Sequence, residues 1–369
     1  MNDVTELKHF ALTHARAQNI PRCEEILAGI DTDDGAQPGS WTWEWTRRGD
    51  ALRLRGQLLD AVRHYTMARF PYVDGPARQI AHERALESFT AWAAGHRIDR
   101  LDVPLPGGRV TCWASGLSGT ERRPLVLMCG GIVSTKEQWA PALAALARFG
   151  LAGVVTEMPG VGENGLRYDA GSWRMLPAIL DAVADRARVT TTYAMTLSFS
   201  GHLALRAAAE DRRIRGVVTA GAPVHTFFTD TEWLKNLPKV TADTLARLTR
   251  TPAESLPGLL APWALSPGLI GSLGIPVACT ASRRDEIIPP GDVRFLHDHV
   301  RRLELVVHDD VHGSPRHVVE TRLWALLSIL RMHGVRDVRT GALRGVLRLL
   351  RARSRGTVRP GAEAAIAAP

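Results

Sequence analysis

The chain is poor in cysteine. Cys23, Cys112, Cys129 and Cys279 are its four thiols, with no CxxC and no other ligand-like spacing, which excludes a zinc ribbon and a disulfide framework and fits a reducing, cytoplasmic setting. An uninterrupted membrane-spanning run is also missing. Residues 255–282 carry no charge over 28 positions, yet Pro257, Pro262, Pro267 and Pro276 alternate there with Gly258, Gly268, Gly271 and Gly274. No continuous helix crosses lipid with that content, so the segment reads as a packed loop followed by a buried strand, with no membrane span. The opening MNDVTELKHF lacks the basic start and apolar stretch of a secretory signal.

Acidic residues are in short supply too, 38 against 46 basic ones, for a net charge of +8. The imbalance is local. Residues 334–369 hold eight arginines against Asp337 and Glu363, so the body of the chain is close to neutral and nucleic acid is not expected as a partner. With 45% apolar and 23% charged residues in 369 positions, the chain has the composition of a folded protein with a full core.

Residues 1–95 show apolar spacing of helical period only, as in ELKHFALTHA and DALRLRGQLLDAVRHYTMARF. Residues 41–70 predict a helical hairpin broken at Gly56. A further helix is expected from Pro76 to a cap at Gly95. Residues 96–335 then alternate β-rich runs (PLVLMCGG, AGVVTEMPG, VTTTYAMTL, IRGVVTAGAP, IPVACTAS, LELVVHDD) with helical ones. That alternation predicts an α/β fold with a mostly parallel sheet covered on both faces, preceded by an antiparallel edge hairpin from RIDRLDVPLP and VTCWAS. Residues 225–268 interrupt the alternation and read as a lid. The basic end, 336–369, reads as a loosely packed tail, with an acidic carrier protein as a candidate partner.

The chemistry concentrates at Thr196-Leu197-Ser198-Phe199-Ser200-Gly201, between a strand and a helix. Small residues after Ser198 fit a nucleophile elbow, the sharp turn that lifts a serine above a sheet, although Thr196 stands where glycine is usual. Ser200 in that role would crowd His202 and lie too far past the strand. Serine needs a histidine base and a carboxylate to orient it, in the order Ser, acid, His. Asp285 and His312 follow the last two β-runs in that order, with Glu286 as the adjacent alternative acid and His308 and His317 as alternative bases. The oxyanion hole is expected from the backbone N–H groups of Phe199 and Gly131, with Gly130 as the alternative.

Bland readings compete at several positions. Ser198 could simply cap a helix, and Asp230 and Glu232, candidate auxiliary acids, could be the solvated start of a lid helix. A spacing such as His308-x3-His312 suits a metal only on a helix, and these residues leave a strand, so no metal is expected. Gly160-Val161-Gly162-Glu163-Asn164-Gly165 matches GxGxxG but follows the second parallel strand, so no dinucleotide cofactor is expected. Trp41, Trp43 and Trp45 are read mostly as core.

At these residues the chain resembles the α/β-hydrolase superfamily. More narrowly it is similar to the FrsA-like and yellowish-green-type hydrolases in RHYTMARFPY, CGGIVSTKEQW, EMPGVGENG, the elbow, RRDEIIPP and DVHGSPRH, over about residues 40–335. One departure is Val133, where the resemblance leads one to expect aspartate. The resemblance implies a helical cap, a homodimer, and esterase or carbon–carbon hydrolase chemistry on polyketide or 1,3-diketone-like acyl substrates. The expected function is thus a Ser198–His312–Asp285 hydrolase of a hydrophobic small molecule. Acyl transfer or cyclisation on the same fold, and a non-catalytic binding protein, are the alternatives.

Overall fold

The computed structural model describes residues 2–356 apart from position 34. Contacts divide the chain into two compact units, Met1–Pro315 and Arg316–Pro369. The first unit opens with five helices: α1 (Val4–Ala17), α2 (Cys23–Ala28), α3 (Trp41–Leu54), α4 (Leu58–Ala68) and α5 (Pro76–Ala94). The hairpin expected over 41–70 is α3 and α4. Pro76 begins α5 and Gly95 caps it, as their conformational preferences dictate.

Leu7, Ala11 and Ala15 recur at i, i+4 and i+8 on α1, and they meet Ile26, Trp41, Trp45, Met67 and Phe70 in a core of their own. Trp41 also donates its indole N–H to the Met67 carbonyl at 2.8 Å. These two tryptophans are core, as their spacing suggested, while Trp43 is 38% exposed.

Eight strands follow: β1 (Asp99–Leu105), β2 (Gly108–Ser115), β3 (Pro124–Cys129), β4 (Ala152–Thr156), β5 (Arg188–Leu197), β6 (Ile214–Ala220), β7 (Val277–Ser282) and β8 (Leu303–His308). Their order in the sheet is β1-β2-β4-β3-β5-β6-β7-β8. Only the β1–β2 and β2–β4 pairings are antiparallel. Every residue of β3, β4 and β7 is buried, because helices cover both faces of a parallel sheet. Those helices include α6 (Leu143–Leu146), α7 (Met175–Ala182) and α8 (Phe199–Glu210).

The segment read as a lid, 225–268, folds between β6 and β7 as α9 (Thr226–Thr229), α10 (Thr231–Lys235), α11 (Lys239–Thr249), α12 (Leu256–Leu260) and the start of α13 (Pro267–Gly271). The charge-free stretch is therefore two short proline-started helices and a buried strand. After β7 comes α14 (Pro290–His299). No helix among the described residues is long and apolar enough to cross a membrane.

The second unit holds α15 (Val318–Met332) and α16 (Val338–Gly356), joined by an ion pair of Arg351 with Glu320 at 2.8 Å. This corrects the loosely packed tail expected from 336 onwards. Arginines at 344, 348 and 351 alternate with Leu343, Leu347 and Leu350 at helical spacing, so the segment is an amphipathic helix as far as Gly356. Residues 357–369 lie outside the described residues.

Candidate active site

The site is built where β5 stops and α8 starts. Ser198 has φ 55° and ψ −128°, a conformation costly for a residue with a side chain. It is held on both sides: its N–H donates to the Ala220 carbonyl at 2.7 Å, and its own carbonyl accepts from the Gly201 N–H at 2.8 Å. Ser200, the other serine of the motif, is fully buried and fastens the turn. Its hydroxyl accepts from the Leu197 N–H and lies 2.9 Å from the carbonyls of Cys129 and Leu197. Gly201 is obligatory, since a Cβ there would lie 2.2 Å from Thr219 Oγ1. The elbow forms despite Thr196 because that residue stays in the strand, paired with Cys129 and Thr219 on either side.

His312 lies four residues beyond β8, with Nε2 3.1 Å from Ser198 Oγ and Nδ1 2.9 Å from both oxygens of Asp285. Asp285 is itself oriented, accepting the N–H groups of Ile287 and Ile288 at 3.0 and 2.8 Å. Burial works against a charged imidazole, but the Asp285 carboxylate outweighs it and holds the His312 pKa above the ordinary histidine value. Glu286, the alternative acid, turns away from the ring and accepts the His312 backbone N–H at 3.0 Å. His308 ends β8 and is buried, and His317 precedes α15 as its cap residue. Sequence reading passed over Gly221, which follows β6 with φ +57°. A Cβ on it would come within 2.9 Å of the His312 ring, so this glycine leaves room for that ring.

Opposite the hydroxyl, a Cβ on Gly131 would approach Ser198 Cβ to 3.3 Å. The N–H groups of Gly131 and Phe199 have no acceptor among the described residues. Phe199 is the first residue of α8, whose dipole adds positive potential there. Gly130 backs instead onto Trp139 and Ser134.

Asp230 and Glu232 do not join this group. Asp230 caps α10 by accepting the Trp233 N–H at 2.9 Å, and Glu232 is 74% exposed and paired with Lys235. The capping geometry is the reason: a short helix start directs both carboxylates to local partners.

The loop that carries Gly131 is anchored by a network that the sequence did not announce. Lys136 Nζ lies 3.0 Å from Glu137, 3.0 Å from Glu157 and 2.8 Å from Glu163, itself 0% exposed. Burial raises the Glu157 pKa and the neighbouring Glu137 raises it further, against the pull of Lys136. The literal GxGxxG belongs here. A Cβ at Gly162 would lie 2.3 Å from Glu157 Oε2, so that glycine makes room for a carboxylate of the protein and not for a phosphate. Val133, where aspartate was expected, engages the cap through its backbone: its carbonyl accepts from the guanidinium of Arg69.

The family profile described as Esterase FrsA-like matches residues 19–299. Esterase FrsA of Vibrio vulnificus (strain YJ016) is 26% identical over 298 residues, 72% of this chain and 70% of its own length. The solved structure of AbyA5 wild type has a TM-score of 0.91 at 52% identity and covers 95% of this chain and 100% of that one. The 2,6-dihydroxy-pseudo-oxynicotine hydrolase structure has a TM-score of 0.68 at 19% identity, covering 85% and 94%, and shares the fold. The chain therefore belongs to the FrsA-like esterases and is an enzyme of the α/β-hydrolase superfamily.

Proposed function

We propose that this enzyme is a serine hydrolase that cleaves an ester or thioester of a hydrophobic small molecule through Ser198, His312 and Asp285. One observation carries the reading: a single imidazole lies within hydrogen-bond reach of both the elbow hydroxyl and a buried, oriented carboxylate. Neutral His312 takes the Ser198 proton at Nε2 as Oγ attacks the acyl carbon, while Asp285 keeps the Nδ1 proton in place. The carbonyl oxygen gains its negative charge facing the Gly131 and Phe199 N–H groups, each worth about 2.7–4 kcal/mol in comparable sites. His312 then gives its proton to the departing alcohol or thiol. Water, deprotonated by the same ring, releases the acid and restores the serine.

Carbon–carbon cleavage would need an additional donor to protonate the leaving carbon. Asp230 and Glu232, the expected donors, are committed elsewhere, so the ester branch is the better supported one. A fluorophosphonate probe tests the proposal. Stoichiometric labelling of Ser198, abolished in Ser198→Ala together with ester turnover, is expected. Full turnover in Ser198→Ala would overturn it.

A further inference from the structure

Two buried arginines flank the link between α4 and α5, and they are held in different ways. Arg78 is 4% exposed, pairs with the carboxylates of Asp33 at 2.5 Å and Asp74 at 2.9 Å, and donates from Nε to the Phe70 carbonyl at 3.1 Å. Arg69 is 2% exposed and has no carboxylate partner among the described residues. Its guanidinium donates to two neutral backbone carbonyls, that of Pro71 at 3.3 Å and that of Val133, and its Nε finds no acceptor among the described residues. Burial lowers its pKa only to about 10, with Glu157 and Glu137 acting the other way, so it stays charged at neutral pH. A buried cation without a paired carboxylate costs stability, and an apolar side chain would join α4 to the loop without that cost. Packing alone gives no reason for a cation here.

The reason lies in what Arg69 touches. The peptide unit between Val133 and Ser134 is held at both ends, its carbonyl by Arg69 and its N–H by the Gly131 carbonyl, to which it donates at 3.0 Å. Gly131 is the residue on which a Cβ would come 3.3 Å from Ser198 Cβ. A charged donor at the end of α4 thus starts a series of two hydrogen bonds that ends on the turn beside the nucleophile, and hydrogen bonds in series strengthen one another. Beyond Ser134 the loop is secured by other groups: the Thr135 N–H donates to Gln138 and the Lys136 N–H to Glu157. Arg69 is itself fixed, since its N–H donates to the Tyr65 carbonyl at 3.1 Å and the neighbouring Phe70 lies in the core of the helical region. An oxyanion forming beside Gly131 then meets a donor already in place, which is what electrostatic stabilisation of a transition state requires.

We propose that Arg69 is a positioning residue for hydrolysis: through the peptide between Val133 and Ser134 it holds Gly131 where its N–H meets the oxyanion. This rests on Ser198 being the nucleophile, and it adds a residue of the helical region to that machinery. Arg69 touches no reacting atom. Its contribution belongs to the transition state and not to substrate binding.

Turnover of p-nitrophenyl butyrate and inhibition by a trifluoromethyl ketone of matching chain length test the proposal, with active sites counted by exhaustive fluorophosphonate labelling of Ser198. The ketone accepts the serine Oγ at its carbonyl carbon and is left with a charged oxygen, as in the transition state. In Arg69→Met, kcat per labelled site is expected to fall about 10- to 100-fold, the size of a lost charge-assisted hydrogen bond. KM should stay within about twofold, and the inhibition constant of the ketone should rise by the factor by which kcat/KM falls. A residue that merely ties α4 to the loop would lower stability without that parallel. Arg69→Lys keeps the charge but loses the planar pair of donors, so its kcat should fall between those of Arg69→Met and wild type; it decides alone where Arg69→Met does not fold. A kcat per labelled site within about twofold of wild type in the folded variant, or a loss confined to KM, overturns the inference, while wild-type labelling and turnover leave the hydrolase reading standing. Wild-type protein with neither labelling nor turnover would overturn the hydrolase reading, and this one with it.

Discussion

Two charged networks meet the same loop, residues 130–138, and they are built to opposite ends. Its first residues approach Ser198, and the last ones enter the Lys136 cluster. In the triad, Asp285 is 5% exposed and His312 keeps 18% of its side chain accessible. In the cluster, Lys136 and Glu157 are 0% exposed and Glu137 is 1% exposed, and only the outer partner Glu163 reaches solvent, at 17%. A base that must pass protons to a substrate needs an open side, whereas a sealed ammonium among carboxylates can only hold elements together. On the proposed reading, the difference separates charge used for chemistry from charge used for position. Both kinds perturb pKa values, so perturbation alone does not locate an active site.

Removing the acid from the open network should give the largest effect. Asp285→Asn keeps the shape but no longer favours the imidazolium, and the corresponding change in a serine protease lowers kcat about 10⁴-fold. The pH profile supplies the sign. Wild-type kcat/KM should rise through the His312 pKa, which lies above the ordinary histidine value, because only the neutral ring accepts the serine proton. The rising limb should move to lower pH in the variant. A limb that stays in place would assign it to another group.

Breaking the sealed network should appear first in stability. Lys136→Met leaves three carboxylates around an apolar chain, and losing one partner of a buried ion pair costs about 3–5 kcal/mol. Denaturant titration reads this loss. Glu157 would then be expected to take up a proton, so part of the loss should be recovered at lower pH, the opposite of the triad's preference for high pH. A Lys136→Met protein of wild-type stability would mean that the cluster is not what secures the loop.

Between the two extremes stands Glu286, which touches the backbone of the base and not its ring. Glu286→Gln retains an acceptor but loses the charge. The expected result is a fall of about tenfold or less in kcat, the size of one charge-assisted hydrogen bond weakened, with little change in KM. A loss as large as that of Asp285→Asn would place Glu286 within the charge system of the ring.

The contrast also explains what the sequence could show. The meeting of Ser198, Asp285 and His312 in space was legible because each follows a strand end in a fixed order, and strand ends can be read from apolar runs. The helical run before the sheet and the antiparallel edge hairpin were legible in the same periodicities, but the division was not: residues 1–95, expected as a domain of their own, fall in one compact unit with the sheet. The Lys136 cluster was not, because its glutamates come from the loop itself, from the end of β4 and from the turn after it, and only the packed sheet brings them together. Its one trace was the glycine pattern at 160–165, which looked like a phosphate loop and was set aside by its position in the chain. Asp230 and Glu232 were misleading for a related reason: acidic residues favour a helix start whether or not a substrate lies nearby. The basic end illustrates the converse, since its arginines drew attention to charge while the leucines between them carried the helical period.

The smallest expected effect concerns Thr196, the point where the elbow departs from the usual glycine. Its side chain is fully buried and Oγ1 has no hydrogen-bond partner among the described residues, as is also true of Thr219 Oγ1 in the neighbouring strand. Thr196→Val replaces that hydroxyl by a methyl of similar volume and removes the cost of a buried polar group without a partner, so it should stabilise the fold by about 1 kcal/mol. Thr196→Gly should do the reverse, because it deletes a packed β-branched side chain from an interior strand and leaves a void. If Gly stabilises and Val does not, the turn is strained by any side chain at this position, and the threonine is a cost of function carried by the elbow. If Val stabilises and Gly does not, the strand sets the preference, and glycine two residues before the nucleophile is not a requirement of the turn.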